Sequence, residues 1–305
     1  MRVALTGASG FIGSVAARHL HAAGHSVTAL VRDSSRRDHI QPFVDRFVVG
    51  THDDQSLWPE LLRDADCVIH NSLDWPDDPD WNLDRHLNSN LVASIKLLEA
   101  SVPRQFVYIS SIAVHHDMRP RWKGVIDEDH PLRPANLYGA LKAAVEAHLW
   151  AAHFDHKQNT CSIRPCAVYG IDPELARSHG HALIEKLQRG EPVTKTGGGK
   201  FVYVDDVAAV IVAAVGNPSV SGKPYNLVDC YARWADWAKI ACEELGVNVP
   251  IDFSSPAKPA NVFTKDAVNS LGVKMDRGIE GIRTHVRELI DILKTSKRQI
   301  VEANK

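Results

Sequence analysis

A tyrosine and a lysine four residues apart, Tyr138 and Lys142, stand in the run Tyr138-Gly139-Ala140-Leu141-Lys142, which continues through Ala143-Ala144-Val145-Glu146-Ala147-His148-Leu149 and reads as helix. A spacing of four puts the phenol and the ammonium on one helix face. A phenol with an ordinary pKa of about 10 is a poor base at neutral pH unless a nearby cation stabilises its phenolate. The pair therefore describes an acid–base centre in which Tyr138 exchanges a proton and Lys142 stabilises the anion. Such a pair also recurs by chance on exposed helices, so its meaning depends on the elements that position it.

The first of those elements is at the N-terminus. Val3-Ala4-Leu5 reads as a buried strand running into Thr6-Gly7-Ala8-Ser9-Gly10-Phe11-Ile12-Gly13, which opens a helix through Val15, Ala16, Ala17 and Leu20. Gly7 allows the sharp turn, Gly10 removes a side chain where backbone must approach a pyrophosphate, and Gly13 lets the helix lie close on the sheet. Free N–H groups at the helix start then face phosphates. A second strand, Ser26 to Val31, follows Gly24-His25, which completes the context of a dinucleotide-binding turn.

Strands and helices alternate after it. The apolar runs Phe47-Val48-Val49, Cys67 to His70, Phe106 to Ser110 and Cys161 to Arg164 are separated mostly by amphipathic stretches, which predicts an α/β fold with a doubly wound parallel sheet of the Rossmann type. The pattern changes beyond Pro165. A long connection, Gly170 to Lys200, carries a helix over about His181 to Arg189 and a Gly197-Gly198-Gly199 turn, and the stretch Phe201 to Val207 returns as strand and helix start. From Tyr231 two helices flank an apolar, proline-bearing link. Residues 1–170 and 201–230 are expected to form the dinucleotide-binding domain. Residues 171–200 and 231–305 are expected to form a smaller substrate-binding lobe over the carboxyl edge of the sheet, where ligands bind in this architecture.

Composition is that of an ordinary soluble protein: 305 residues, 44% hydrophobic, 24% charged, formal net charge -2. Nothing in it points to a nucleic-acid or membrane partner, and no apolar run is long enough to span a bilayer. Cys67, Cys161, Cys166, Cys230 and Cys242 form no C-x-x-C pair and read as reduced core thiols. Met1-Arg2 passes directly into the first strand, so no signal peptide is expected and a cytoplasmic location is. None of the sixteen histidines sits in an H-E-x-x-H or a Cys/His cluster; His115-His116 and His179-x-His181 come nearest, and no metal is expected.

Further motifs follow in order: Asn90-Leu91-Val92, Ile109-Ser110-Ser111, Arg164-Pro165-Cys166-Ala167-Val168-Tyr169-Gly170, Phe201-Val202-Tyr203-Val204-Asp205-Asp206-Val207 and Tyr225-Asn226-Leu227. With the glycine turn and Tyr138-x-x-x-Lys142, they make the chain resemble the extended short-chain dehydrogenase/reductases, the epimerase/dehydratase-like proteins, over nearly its whole length. The resemblance implies hydride transfer between a nicotinamide cofactor and a small-molecule carbonyl or alcohol. Ser111 would hold the substrate oxygen with Ser110 in support, Tyr138 would exchange the proton, and Lys142 would lower the phenol's pKa and grip the nicotinamide ribose. Asn90 would hold its helix and a water near Lys142, its alternative being a helix-surface amide. Thr6, Gly7, Ser9, Gly10, Phe11, Ile12, Gly13 and Pro165 would contact cofactor, as would Tyr138 and Lys142. Asn71 and Ser72, where the family usually has His-x-Ala-Ala, would lie near the nicotinamide. Asp53 or Asp54 would lie near the adenine amine, or cap the next helix.

The carboxylate that would accept a ribose hydroxyl is replaced by apolar Val31, followed by Arg32, Arg36 and Arg37. NADP(H) is therefore favoured over NAD(H). Cys166-Ala167 and Gly199-Lys200 stand where relatives acting on nucleotide-sugars commonly carry an Asn and an Arg-Asp pair, which weakens the case for a diphosphate-bearing sugar. The leading reading is a carbonyl reductase or alcohol dehydrogenase; the alternative is an epimerase or dehydratase of a (nucleotide-)sugar that retains its cofactor. The acidic stretch Asp74 to Trp81, with Trp75, Trp81, His115, His116 and Trp122, is read as pocket lining or as core and caps. The same resemblance suggests a homodimer through the helices bearing Asn90 and Tyr138.

Overall fold

The apolar runs of the N-terminal half become strands because each is short, bounded by turns and buried on both faces. The computed structural model describes residues 1–74, 82–115 and 124–303. In chain order it has β1 (Arg2–Thr6), α1 (Phe11–Ala22), β2 (Ser26–Val31), β3 (Arg46–Val49), α2 (Trp58–Leu61), β4 (Cys67–His70) and α3 (Leu83–His86). A π-helical turn (Leu87–Val92) passes into α4 (Ala93–Ala100), followed by β5 (Gln105–Ile109), β6 (Gly124–Ile126), α5 (Leu137–His156), β7 (Thr160–Pro165) and β8 (Ala167–Tyr169). Then come α6 (His181–Gln188), β9 (Gly198–Tyr203), α7 (Val204–Ala214), β10 (Lys223–Leu227), β11 (Cys230–Arg233), α8 (Trp234–Leu245), β12 (Asn261–Phe263), α9 (Asp266–Ser270) and α10 (Gly278–Ala303).

Seven strands form one sheet in the order β10-β7-β5-β4-β1-β2-β3, and every neighbouring pair is parallel. Parallel neighbours require crossovers, and a doubly wound sheet is the result. The winding reverses between β1 and β4, so the carboxyl ends of those two strands, Thr6 and His70, border the switch point at which such sheets take ligands. Beneath it Ala4, Val68, Phe106 and Tyr108 pack with Leu97, Leu141, Val145 and Leu149 from the helices.

The chain divides into two compact units. The first comprises 1–166, 205–227 and 261–274, and holds the seven-stranded sheet together with the β6–β12 pair. The segment 261–274, placed with the smaller lobe on sequence grounds, lies in this unit because Asn261, Val262 and Phe263 pair with Gly124, Val125 and Ile126. The second unit comprises 167–204, 228–260 and 275–305. Its own sheet, β11-β9-β8, includes β9, the strand expected in the dinucleotide-binding domain. Its core gathers Trp237, Phe201, Tyr169, Ile184, Ile282 and Leu289. No helix among the described residues is long and apolar enough to cross a membrane.

Among the glycines of the described residues, the one with least room for a side chain sits under α1. A Cβ on Gly13 would lie 2.0 Å from the Gly7 carbonyl oxygen and 2.9 Å from Ala8 Cα, both backbone atoms that cannot step aside. Gly13→Ala is expected to lower stability by about 1–3 kcal/mol, as overpacking does. Urea unfolding would measure it, and an unchanged midpoint would refute the close packing.

Candidate active site

The glycine turn leads into an uncapped helix start. Gly7 has φ +70°, and its carbonyl accepts from Gly10 N–H at 3.2 Å. A side chain at Gly7 would press on the backbone of Asn71 and Ser72 at 3.1 Å. Helix α1 begins at Phe11 with no side-chain cap and no acidic residue in its first turn, so the N–H groups of its first turn are left for a ligand. That arrangement fits the pyrophosphate of a dinucleotide. His39 Nε2 lies 3.2 Å from the Ser9 carbonyl and supports the loop from outside.

At the switch point the order of protons follows from counting lone pairs. Thr6 Oγ1 accepts the N–H of Asn71 and of Ser72, each at 3.1 Å. Both lone pairs are then used, so the hydroxyl must donate to His70 Nδ1 at 2.8 Å. His70 therefore carries its proton on Nε2 and donates to Ser94 Oγ at 2.8 Å, and Ser94 in turn donates to the Asn90 carbonyl. Burial holds His70 far below the ordinary imidazole range, with His52 and Lys142 adding to the effect. Asn90 sits in the π-helical turn, a local expansion that recurs at functional sites. Its side chain accepts from Asp74 N–H at 2.7 Å and donates to the Asp74 carbonyl at 2.9 Å. Asn90 thus grips the backbone leading out of the Asn71-Ser72 segment.

Helix α5 starts at an Asn136 cap, whose Oδ1 accepts from Gly139 N–H at 2.8 Å. A side chain at Gly139 would meet the Ala113 carbonyl at 2.5 Å, so glycine lets the helix start lie against the turn after β5. That approach brings together the three residues singled out by sequence. Ser111 hydrogen-bonds the Tyr138 phenol, and Ser111 Oγ also accepts from Ala113 N–H at 3.1 Å and donates to the Pro165 carbonyl at 3.5 Å. Burial pushes the Tyr138 phenol up, and the Ser111 bond pulls it back. Lys142 Nζ is 5.8 Å from the Tyr138 ring centroid and donates to the Ile109 carbonyl at 2.7 Å. Burial lowers Lys142 to about 7 while Glu146 opposes the shift. A lysine in that range can gain or lose its charge at neutral pH.

Behind this face lies a buried ion pair. Arg164 Nε and Nη2 hold Glu146 in a bidentate grip at 3.0 and 2.6 Å, and both side chains are almost fully enclosed. Arg164 Nη1 donates to His115 Nε2 at 3.1 Å, which leaves the His115 proton on Nδ1, facing the Pro131 carbonyl at 3.4 Å. Burial and the Arg164 charge lower His115 to about 3. His115 is thus a fixed member of the buried network, and the part of pocket lining that sequence offered it is not the one it takes. His116, Trp75, Trp81 and Trp122 lie outside the described residues.

The remaining candidates follow β2 and β3. Arg32 is exposed just past buried Val31, and Arg37 turns toward Asp33, bonding its carbonyl at 3.3 Å. Asp54 caps the turn that follows β3, accepting from Ser56 N–H at 3.0 Å, while Asp53 is exposed. In the second unit His179 packs on Trp234 and Trp237. Among the described residues no three His, Cys, Asp or Glu side chains converge on a metal position. Three contributors had no role assigned from sequence: His70, Glu146 and Arg164. An arginine within an apolar strand run and a glutamate one turn past Lys142 were the available signals, because a buried charge demands a partner.

Over residues 3–227 the sequence matches the family described as NAD dependent epimerase/dehydratase. It is 31% identical over 255 residues to a UDP-glucose 4-epimerase of Mycolicibacterium smegmatis, spanning 74% of this chain and 77% of that one. A 3-diazoavenalumate denitrifying reductase of a Streptomyces species is 29% identical over 262 residues, spanning 82% and 83%. Among solved structures, a short-chain dehydrogenase/reductase superfamily protein from Agrobacterium tumefaciens with bound NAD superposes with a TM-score of 0.79 over 98% of this chain and 100% of that one. At 19% identity that likeness is one of fold.

The neutral histidines make stability depend on pH. A histidine held below its ordinary value binds a proton in the unfolded chain before it does in the folded one. Its contribution is complete above 6.5 and is lost as pH falls toward the folded value, about 3 for His115. Unfolding free energy should therefore fall by about 1.4 kcal/mol per pH unit on account of His115 between about pH 6 and pH 4. His115→Gln should show a shallower slope in urea titrations; equal slopes would contradict the assignment.

Proposed function

Because the chain belongs to the NAD dependent epimerase/dehydratase family and is an enzyme, we propose that it is a nicotinamide-dependent oxidoreductase working through Ser111, Tyr138 and Lys142. The observation that carries this reading is the convergence of those three side chains past the carboxyl end of β5, beside the switch point at β1 and β4. A nicotinamide dinucleotide, when bound, would supply the hydride chemistry. Ser111 orients the substrate oxygen, and Tyr138 gives it a proton during reduction or takes one during oxidation. Lys142, as a cation, stabilises the phenolate that Tyr138 becomes. Thr6, Gly7, Ser9, Gly10, Phe11, Ile12 and Gly13 would hold its phosphates at the start of α1, and Asn71, Ser72 and Pro165 would contact its nicotinamide end.

The cofactor is NADP(H) in this reading. Val31 offers no carboxylate to a ribose hydroxyl, and exposed Arg32 offers a guanidinium to a ribose phosphate. The neighbour from Agrobacterium tumefaciens carries NAD, which favours the second reading, an epimerase or dehydratase that keeps NAD and returns the hydride to the same substrate. The UDP-glucose 4-epimerase relative supports that second reading too. Against it, Cys166-Ala167 and Gly199-Lys200 lack the Asn and Arg that would address a diphosphate.

Two measurements test these readings. Purified protein is denatured and its nicotinamide content assayed: the reductase reading expects little retained cofactor and tighter binding of NADPH than of NADH, whereas near-stoichiometric NAD(H) would replace it with the recycling reading. Tyr138→Phe is expected to lower NADPH oxidation on an aldehyde and ketone panel by at least about 10²-fold while NADPH still binds. Full turnover in that variant would remove Tyr138 from the chemistry.

A further inference from the structure

Tyr138 and Lys142 are the first two members of a longer row, since Glu146 follows Lys142 by another four residues on α5. All three side chains address the same short stretch at the end of β5. Lys142 Nζ donates to the Ile109 carbonyl at 2.7 Å. Ser110 Oγ donates to Glu146 Oε1. Ser111 bonds the Tyr138 phenol. Three consecutive residues, 109 to 111, are thus each tied to one member of the helix row.

We infer that Glu146 is a positioning residue for the Ser111-Tyr138-Lys142 centre, fixing residues 109–111 against α5 through Ser110 and setting an anion one helical turn from Lys142. The inference rests on the reading of Tyr138 as the acid–base group and extends it. Glu146 is itself held rigidly: Arg164 binds both carboxylate oxygens, and Arg164 is anchored in turn on His115 Nε2 and the Glu128 carbonyl. Two helical turns of α5 therefore carry both the reacting phenol and the anion that conditions its cation.

Groups on β4, β5 and α5 face Lys142. Tyr108 of β5 presents its ring 4.6 Å from Nζ, Tyr138 presents its ring at 5.8 Å, and His70 of β4 is neutral. Burial lowers Lys142 to about 7, and Glu146 is the group that pulls the other way. Near that value the charge of Lys142 is sensitive to the loss of one neighbouring anion. Loss of that anion should therefore lower the pH at which Lys142 gives up its proton, and with it the pH range over which Lys142 is a cation beside Tyr138.

The side-chain carbon signal of Lys142, followed against pH by NMR in protein carrying ¹³C-lysine and identified by its absence in Lys142→Arg, reports the Lys142 titration directly. Glu146→Gln keeps an oxygen for Ser110 and drops the charge, and it should lower the Lys142 midpoint by about one pH unit. That substitution leaves Arg164 buried without its partner, which threatens folding. Glu146→Gln/Arg164→Met removes the pair together and should fold with the midpoint still lowered. Ser110→Ala cuts the tie to residues 109–111 and keeps the ion pair; it should lower turnover by about 10-fold with NADPH binding unchanged, and Ser110→Thr should restore it. An unchanged Lys142 midpoint in either folded variant, or full turnover in Ser110→Ala, overturns the role given to Glu146. Full turnover in Tyr138→Phe is a separate result: it removes the acid–base reading of Tyr138, and the inference with it.

Discussion

The Thr6 hydroxyl holds the carboxyl edge of the central sheet together. At a switch point two neighbouring strands send their chains in opposite directions, and the backbone just past them has no ladder to satisfy it. Thr6 answers that need with one oxygen, accepting Asn71 N–H and Ser72 N–H across the gap between β1 and β4. Because the oxygen is then saturated, its proton is committed to His70, and the commitment passes through Ser94 to the π-helical turn of Asn90. The glycine turn on one side and the Asn90 clamp on Asp74 on the other are thus parts of one construction. Loss of a donor anywhere along it leaves a buried group unmatched, which costs about 1–3 kcal/mol.

Helix α5 is the second fixed body of the site. Its start is set by the Asn136 cap and by the glycine that allows contact with the turn after β5. Its buried side carries Leu141, Val145 and Leu149 into the core, and the row Tyr138, Lys142, Glu146 faces β5 alongside them. Burial that secures the helix also strips water from Lys142, Glu146 and Arg164, so their charges act on one another at full strength. Stability and reactivity here share one cause: the same dry packing that orders the helix moves Lys142 into the neutral range.

The sheet and the central pair were legible in the sequence because both obey local rules. Runs such as Cys67 to His70 and Ser26 to Val31 are short, apolar and bounded, and they became strands over those same residues. The Tyr138 and Lys142 spacing is a property of one helix and needed no tertiary knowledge. What escaped was set by distant contacts. Nothing local says that Asn261 to Phe263 will pair with Gly124 to Ile126, more than a hundred residues away, or that Phe201 to Tyr203 will join a separate sheet. Asp54 illustrates the ambiguity between local and ligand roles: a carboxylate two residues before a serine can cap a turn or meet a ligand, and here it caps. The π-helical turn had no signature, since Leu87 to Val92 reads as ordinary helix.

Taken together, the two polar networks say where a proton can move. In the first, Thr6, His70, Ser94 and the Asn90 carbonyl fix each hydrogen in one direction, and burial of His70 resists adding another. In the second, Arg164 must donate, so His115 and Glu146 must accept, and Ser110 gives its hydrogen to Glu146. Reversing either chain would place two donors or two acceptors face to face within a dry interior. Tyr138 lies between these walls: Ser111 accepts from Ala113 N–H and gives its own hydrogen to the Pro165 carbonyl, so the bond it shares with the phenol is donated by Tyr138, next to an ammonium poised to change charge. With these neighbouring hydrogens committed, the proposed transfer of the Tyr138 proton would proceed with little rearrangement of the groups around it, which is the preorganisation that acid–base catalysis at a phenol requires.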